Sequence, residues 1–488
     1  MTSFDVTERS IEELQAAQTQ GIVSAHGLTL AYLQRIEDLD QRGPALNAIV
    51  RINPHALRQA AALDLERRGG SVRGPLHGIP ILVKDNFETI DMPTSGGSVV
   101  LKNFHPRNDA FQVRRLREAG AVIIGKTTMH ELAAGVTNAS SLSGYTRNPY
   151  ALDRVPGGSS GGAGAAIAAS FAAAGMGSDT AGSLRIPAAN QSLVALRVSS
   201  GLSSRSGVMP LSMTQDVAGP LARSVTDLAI MLDATVGVDR DDPSTVNADQ
   251  HIPSSYRDML RTDSIEGLSI GVLRDLFGTM PEDEEVSSVI NRALARFSAH
   301  GAHLHELGVP QLEELIQSSS VIGHEFKFDF ADYLQRYPYA PVHSLAQLLK
   351  CNQHHVAVDE VLRKRDEAVA RDSIESRSAF AARDRLRNVV LNEMQRAAVD
   401  VLVYPVMRRK AAFIGQGQSG VNSQLCAGTG LPAIAIPAGF TDDGVPVGME
   451  FLGKQYTEQT LLNLAFSWEK IEKIRRMPGY AFSKKSIV

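Results

Sequence analysis

The chain has 488 residues, of which 43% are hydrophobic and 21% are charged, and its formal net charge is −4. This composition is typical of a globular protein with a sizeable core, and the near-neutral charge argues against a nucleic-acid-binding protein. Its two cysteines, Cys351 and Cys426, are too few for a disulfide framework, and no Cys/His cluster predicts a zinc site. We therefore expect reduced thiols, no metal and no nucleic-acid partner.

The first residues lack the basic and then apolar pattern of a signal peptide, so a cytoplasmic protein is expected. The longest apolar-looking run, residues 161–177, consists mostly of Ala, Gly and Ser. Such a run favours a buried helix followed by a strand over a membrane span. We expect no membrane partner.

Residues 7 to about 70 carry apolar residues at three-to-four spacing, which predicts helices. From residue 74 onward, short apolar runs alternate with helical patterns, which indicates an α/β fold. The predicted strands are 81–83, 121–124, 268–273, 399–405, 431–437 and 447–453, and the predicted helices include 113–119, 161–174 and 459–474. Residues 238–265 are interpreted as a polar surface excursion. Residues 284–400 are interpreted as largely helical, with a solvated charged face.

Residues 120–127 match the phosphate-loop pattern G-x-x-x-x-G-K-[ST] letter for letter. Such a loop must follow a strand and present bare backbone amides to a phosphate. Here a helical pattern precedes Gly120, and the four variable positions are apolar and β-favouring. The segment is therefore predicted to be a strand, and a nucleotide site is rejected.

Residues 157–161 match G-x-S-x-G, the nucleophile elbow of α/β-hydrolases. That elbow needs a strand leading into it and a helix leading out. The helix is predicted, but the approach through residues 153–156 is polar and ends in a proline. The elbow is therefore rejected as well.

Glycines and serines are concentrated in residues 157–162 and again in 177–183. Glycine loses more conformational entropy on folding than any other residue, so we interpret this stretch as an active site. A serine hydroxyl needs a base to become a nucleophile. Lysine serves as that base only when its pKa falls by about 3 units, which burial can achieve. Lys84, at the end of the apolar strand 81–83, is the candidate.

Four segments together resemble the amidase signature family of serine hydrolases, namely residues 78–85, 125–132, 147–162 and 177–187. The resemblance covers most of residues 70–240 and resumes over about 400–470. It implies a large twisted mixed β-sheet covered by helices on both faces. It also implies an N-terminal helical segment at 1–70 packed on an amidase signature domain at 71–488, with a helical substrate-side insertion at about 284–400.

The family works through a Ser-cisSer-Lys triad. The resemblance implies that Ser183 is the nucleophile, that Ser159 is the bridging serine in a cis peptide bond, and that Lys84 is the base. It also implies an oxyanion hole built from the backbone amides of Thr180, Ala181, Gly182 and Ser183. Ala181 stands where many members have glycine, and its small side chain is expected to preserve the hole.

Structural support of this site is expected from Ser160, Asp179, Arg185 and Glu131. In the implied cycle, neutral Lys84 takes a proton through Ser159, Ser183 attacks the amide carbonyl, and water hydrolyses the acyl-enzyme. No metal and no cofactor are implied. The substrate is expected to be a small-molecule or peptide amide, and the protein a monomer or homodimer.

Residues 324–334 and 430–453 look closest to the peptide amidase subgroup, which removes the C-terminal amide of peptides. The chain departs from the family at 405–410, where members commonly have a threonine after the proline and few charges. Here the basic cluster Arg408, Arg409 and Lys410 follows instead. We interpret the cluster as a solvated loop, and the alternative is a position near the pocket that favours an anionic or polar substrate.

Three other functions remain open at this point. The first is an aryl acylamidase or another hydrolase of small amides or esters. The second is the glutamine amidase component of a tRNA-dependent amidotransferase, which needs a partner and which the segment 284–400 fits poorly. The third is a catalytically silent scaffold, which the presence of all three triad residues disfavours.

Overall fold

The computed structural model describes residues 4–479. The first residues of the predicted segment 1–70 and the last residues of the predicted domain 71–488, namely 1–3 and 480–488, lie outside the described residues. Its strands are β1 Ile49–Ile52, β2 Pro80–Lys84, β3 Val122–Thr127, β4 Ala139–Ser140, β5 Gly144–Tyr145, β6 Ala174–Asp179, β7 Val194–Arg197, β8 Val217–Ala222, β9 Ser269–Leu273, β10 His303–Leu307, β11 Val401–Pro405, β12 Ala433–Phe440 and β13 Pro446–Leu452. All of them except the β4–β5 hairpin belong to one 11-stranded sheet.

The strand order in this sheet is β1-β3-β2-β6-β8-β7-β12-β13-β11-β9-β10. β2 runs parallel to β3 and β6, and β9 runs parallel to β10 and β11, whereas the central strands are antiparallel. β2, β3, β6 and β8 are buried at every residue, as expected of strands covered on both faces. The prediction of an α/β fold with a large mixed sheet is confirmed.

Helices pack against this sheet, with α7 on β8 and both α8 and α15 on β12. The helices are α1 Ile11–Thr19, α2 Ala25–Ile36, α3 Ala56–Arg68, α4 Phe111–Glu118, α5 Gly161–Ala168, α6 Arg185–Asn190, α7 Val225–Thr235, α8 Pro281–Ala299, α9 Leu312–Ser318, α10 Ile322–Gln335, α11 Leu345–Lys350, α12 Val356–Asp366, α13 Ile374–Arg396, α14 Gln424–Thr429 and α15 Glu458–Glu472. None of the helices within residues 4–479 is long and apolar enough to cross a membrane.

Several strands differ from the sequence prediction. The segments predicted as helical contain β1 and β10, and β7 and β8 were not predicted at all. The predicted helix over 161–174 ends at Ala168, and β6 begins at Ala174. Residues 161–179 are all buried, so hydrophobic periodicity carries no signal that separates a helix from a strand.

The phosphate-loop match is a strand, as predicted. Residues 122–127 form β3, which is buried at every position. The ammonium of Lys126 donates hydrogen bonds to Phe87 O at 2.6 Å and to Thr94 Oγ1 at 3.0 Å. The Lys126 ammonium is therefore bound by acceptors inside the protein, and the residues around it form a strand instead of a phosphate-binding loop.

A second hydrophobic cluster lies beside the main core. It joins apolar residues of α10, α11 and α12 to the loops that follow β3 and precede β8, and the half-buried Ala181 packs against it. Because Ala181 belongs to the predicted oxyanion segment, this cluster brings the helical region 322–366 next to the candidate site.

Candidate active site

Lys84 is the last residue of β2 and is fully buried. Its Nζ lies 2.7 Å from Ser159 Oγ, 2.9 Å from Ser178 Oγ and 3.4 Å from the Ser178 carbonyl oxygen. Burial lowers the pKa of Lys84 to about 7, although the Asp179 and Asp216 carboxylates act to raise it. A substantial fraction of this amine is therefore neutral near pH 7, as a base requires.

Ser159 follows a cis peptide bond, which joins it to Gly158. The glycines around it lie against neighbouring backbone. A β-carbon at Gly158 would lie 2.8 Å from the carbonyl carbon of Val136, and one at Gly162 would lie 2.2 Å from Thr128 Oγ1. Both distances are shorter than atoms tolerate, so the glycines at these positions are required by close packing.

Ser183 lies in the turn between β6 and α6 and is 6% exposed. Its carbonyl oxygen accepts a hydrogen bond of 3.2 Å from the Ser160 backbone amide. Among the described residues its hydroxyl has no hydrogen-bond partner. The structure thus joins Lys84 to Ser159 through side chains, and it holds Ser183 beside the same loop through the backbone.

Asp179 shapes the turn that carries Ser183. Its carboxylate accepts hydrogen bonds from the backbone amides of Gly182 at 2.7 Å and Leu184 at 3.1 Å. Gly182 has a φ of +111°, and a β-carbon there would lie 1.9 Å from Ser423 Oγ. The Ser423 hydroxyl in turn donates to Ala181 O at 2.8 Å. Only glycine fits this position.

The four amides of the predicted oxyanion hole are therefore not equivalent. The amide of Gly182 is engaged by Asp179. Those of Thr180, Ala181 and Ser183 have no acceptor within residues 4–479. These three amides remain able to donate to a ligand.

A network of buried charges stands behind this turn. Arg185 donates to Asp179 and to Glu450, Arg197 also donates to Asp179, and the Tyr404 hydroxyl donates to Glu450 at 2.7 Å. Burial alone would raise the pKa of Asp179, but the two guanidiniums hold it well below its usual range. Asp179 therefore stays ionised and continues to accept hydrogen bonds from the backbone amides of the turn.

Ser160 and Glu131 make contacts of a different kind. The Ser160 hydroxyl donates to Ser178 O at 3.1 Å. Glu131 Oε2 accepts from the backbone amides of Ser141 and His355, both at 2.9 Å. Glu131 therefore links the loop after β3 to the start of α12.

Two cations of the basic cluster are neutralised by ion pairs. Arg409 Nε lies 2.7 Å from Asp283, and Lys410 Nζ lies 2.8 Å from Glu285. Both carboxylates belong to α8. Arg408 makes no ion pair and no side-chain hydrogen bond within the described residues, and its Nε is buried.

Sequence reasoning missed several residues of this site. Ser178 contacts the Lys84 ammonium directly and also accepts a hydrogen bond of 3.0 Å from Asn86 Nδ2. Asn86 lies two residues after Lys84, and Ser178 lies five residues before Ser183. Polar side chains close in sequence to the triad candidates were therefore the available signal. Arg197 and Glu450 are distant in sequence, and no local pattern marks them.

Comparison with known proteins decides the family. The model of the family described as Amidase matches residues 27–462. The chain belongs to the amidase family.

This amidase is similar to relatives of two kinds. It is 35% identical over 487 residues to a glutamyl-tRNA(Gln) amidotransferase subunit from Halorhodospira halophila, covering 95% of this chain and 97% of that one. The native peptide amidase from Stenotrophomonas maltophilia is 34% identical, with a TM-score of 0.88 over 97% of this chain and 99% of that one. An amidase family protein from Bacillus anthracis is 32% identical, with a TM-score of 0.85 over 97% and 92% of the two chains. The protein is an enzyme that hydrolyses amide C–N bonds.

Proposed function

We propose that this amidase cleaves carboxamides through a triad in which Lys84 is the base, Ser159 the relay and Ser183 the nucleophile. The observation that carries the proposal is the buried contact of 2.7 Å between Lys84 Nζ and Ser159 Oγ. The pKa of that lysine is lowered to about 7. A general base is most effective when its pKa lies near the working pH.

The hydrogen bonds around Lys84 set the direction of proton transfer. A neutral amine has two N–H donors and one lone pair. The Ser178 hydroxyl oxygen at 2.9 Å and the Ser178 carbonyl oxygen at 3.4 Å can accept these two N–H groups. The lone pair is then left for the hydroxyl of Ser159, whose oxygen is free to accept the proton of Ser183.

In the proposed reaction, the Ser183 proton moves to Ser159 Oγ while the Ser159 proton moves to Lys84 Nζ. Ser183 Oγ bonds to the amide carbon, and the negative charge on the carbonyl oxygen meets the free amides of Thr180, Ala181 and Ser183. One such donor contributes roughly 3–4 kcal/mol in other hydrolases. The relay then returns the proton to the leaving nitrogen, and water releases the acyl group.

A Ser178→Ala variant is expected to lower the plateau kcat about tenfold, because the amine loses one acceptor that orients its lone pair. The acidic limb of the pH profile should move to lower pH, since removing a partner of the ammonium disfavours its charged form. Ser178→Thr keeps the hydroxyl and should keep the limb. If Ser178→Ala leaves both the acidic limb of the pH profile and the plateau kcat unchanged, Ser178 does not orient the amine.

We propose peptide C-terminal amides as the substrates. The similarity to the Stenotrophomonas maltophilia peptide amidase, over nearly the whole of both chains, supports this choice. The apolar cluster beside Ala181, which includes Leu132, Met209 and Phe326, supports an apolar side chain near the reacting carbonyl. Burial of such a side chain contributes about 1.5–3 kcal/mol.

Ammonia release from a panel of amides tests this substrate class. Dipeptide amides ending in Phe or Leu should have a kcat/KM at least about tenfold above those ending in Gly, because burying a large apolar side chain contributes to binding. The panel also contains an aliphatic amide, an aryl anilide and a small ester; the anilide is followed by release of the aniline and the ester by release of the acid, because neither yields ammonia. A preference for the anilide or the ester would overturn the peptide assignment and leave the triad untouched.

A second candidate is the glutamine amidase function of a tRNA-dependent amidotransferase. The 35% identity to the Halorhodospira halophila protein over 95% of this chain favours it. Free glutamine in the same panel separates the two functions. Because this function needs a partner, even slow ammonia release from glutamine, without release from peptide amides, would support this second candidate.

A further inference from the structure

An open cleft of about 1060 Å³ lies where the parallel strands β9 and β11 end. Residues that directly follow β9 form one wall, and residues shortly after β11 form another. Ligands of α/β sheets bind outside the carboxyl ends of strands, and the volume lies just above the usual range of ligand pockets, about 300–1,000 Å³. We refer to this space as the Arg408 cleft.

Hydrogen bonds attach the floor of the Arg408 cleft to the candidate active site. Asn422 lines the cleft and donates to Leu276 O at 2.7 Å and Pro405 O at 2.8 Å. The next residue is Ser423, whose hydroxyl donates to Ala181 O at 2.8 Å. The cleft and the turn that carries the proposed nucleophile are therefore connected through two adjacent residues, Asn422 and Ser423.

Arg408 is the cation of the cleft that lacks an ion-pair partner. Its side chain is half-buried, its Nε is buried without a hydrogen-bond acceptor, and it has no ion pair within residues 4–479. The other two arginines that line the cleft are occupied, Arg274 by Glu306 and Arg409 by Asp283. Withdrawing a cation from water without an anion is costly, so a ligand that supplies the anion is favoured.

The acidic residues of the cleft do not satisfy Arg408. Asp275 accepts a hydrogen bond from the Val309 amide at 2.9 Å. Asp283 is held by Arg409 and interacts with Arg408 only as a more distant charge. Glu313 and Glu314 are exposed on the first turn of α9 and make no ion pair among the described residues. Because Glu313 and Glu314 are exposed to water, they need no partner, and Arg408 is the half-buried charge of the cleft that lacks a partner within residues 4–479.

We propose that the Arg408 cleft binds the acyl portion of the substrate and that Arg408 pairs there with an acidic side chain of a peptide. The proposal rests on the proposed function, since it assumes an amide substrate with a peptide acyl group. A guanidinium presents a planar fork of donors that matches a carboxylate. Arg408 is therefore a residue that determines substrate specificity and takes no part in the proton transfers.

The test compares kcat/KM for tripeptide amides that differ only in Asp against Asn, or Glu against Gln, at each position before the amidated residue. The wild-type enzyme should favour the acidic peptide about tenfold at one position, as expected of a charge-assisted hydrogen bond. In Arg408→Gln this ratio should fall to about one. Arg408→Lys keeps the positive charge but loses the planar guanidinium donors, so its ratio should lie between that of the wild type and one.

Arg274→Gln is the matched control, because it removes a cleft cation that already has a partner. Its acidic-to-neutral ratio should equal that of the wild type. The proposal is wrong if the wild-type enzyme shows no acidic preference at any position, or if Arg274→Gln lowers the ratio as much as Arg408→Gln. Failure of the proposed function would look different, since ammonia release would then be absent for every tripeptide amide or would survive Ser183→Ala.

Discussion

A Ser183→Ala variant is expected to lose amide hydrolysis by a factor of about 10⁴ or more, as when the nucleophile of a serine hydrolase is removed. The reason is local. The turn between β6 and α6, which presents the free amides of Thr180 and Ala181, contains two hydroxyls, those of Thr180 and Ser183. The Thr180 hydroxyl donates to Asp216, so only that of Ser183 is available. The measurement is ammonia release from a rapidly hydrolysed peptide amide, followed over hours so that a residual rate about 10⁴-fold below that of the wild type can be detected.

Covalent labelling provides a second readout for the same variant. A sulfonyl fluoride should modify Ser183 of the wild-type enzyme and leave the Ser183→Ala variant unmodified, as peptide mass spectrometry would report. Ser160→Ala is the control, because Ser160 is a buried neighbour that donates to Ser178 O; it should still be labelled at Ser183. Full turnover in Ser183→Ala would exclude this residue as the nucleophile.

The second large effect concerns the pH dependence set by Lys84. Only the neutral amine can accept a proton, and the pKa of Lys84 lies at about 7. The value of kcat/KM should therefore rise tenfold per pH unit below pH 7 and level off above it. Lys84→Ala should lower the plateau by about 10³-fold, within the range attributed to general-base catalysis, and the limb at pH 7 should disappear.

Lys126 provides the control for this assignment, because it too is fully buried and burial lowers its pKa to about 8. It lies at the end of the neighbouring strand β3 and donates to Phe87 O. The residual activity of Lys126→Met should keep the wild-type limb. If the limb moves in Lys126→Met and persists in Lys84→Ala, the base has been assigned to the wrong lysine.

Much of the candidate site could be predicted because its residues lie in short, unusual segments. Lys84 ends a short apolar run that is typical of a buried strand, and the glycines at 157–162 indicate backbone in close contact. The contacts of Ser178 could not be predicted, because they depend on how β6 lies beside β2. Asp179 was assigned as support of the turn, but Arg197 and Glu450, which complete its charge network, come from β7 and β13. Arg197 and Glu450 come close to this network only through the order of the strands in the sheet, which the sequence does not reveal.

The errors in the fold have a similar origin. β1 is a four-residue strand within a segment of helical periodicity, and β10 carries mostly polar residues. Strands at the borders of a sheet are covered on fewer sides, so their sequences show weaker patterns. The strands that the sequence predicted, such as β2, β9 and β11, are mostly apolar, whereas the central strands β7 and β8 were not predicted.

The position of β1 has a consequence for the solubility of the enzyme. β10, at the far side of the sheet, exposes His303, His305 and Glu306, and such polar residues discourage pairing between molecules. β3 has no such protection, and on the side away from β2 only the antiparallel pairing with β1 covers its backbone groups. A chain that starts after residue 55 would therefore present an apolar strand to other copies, and aggregation would accompany the loss of this segment.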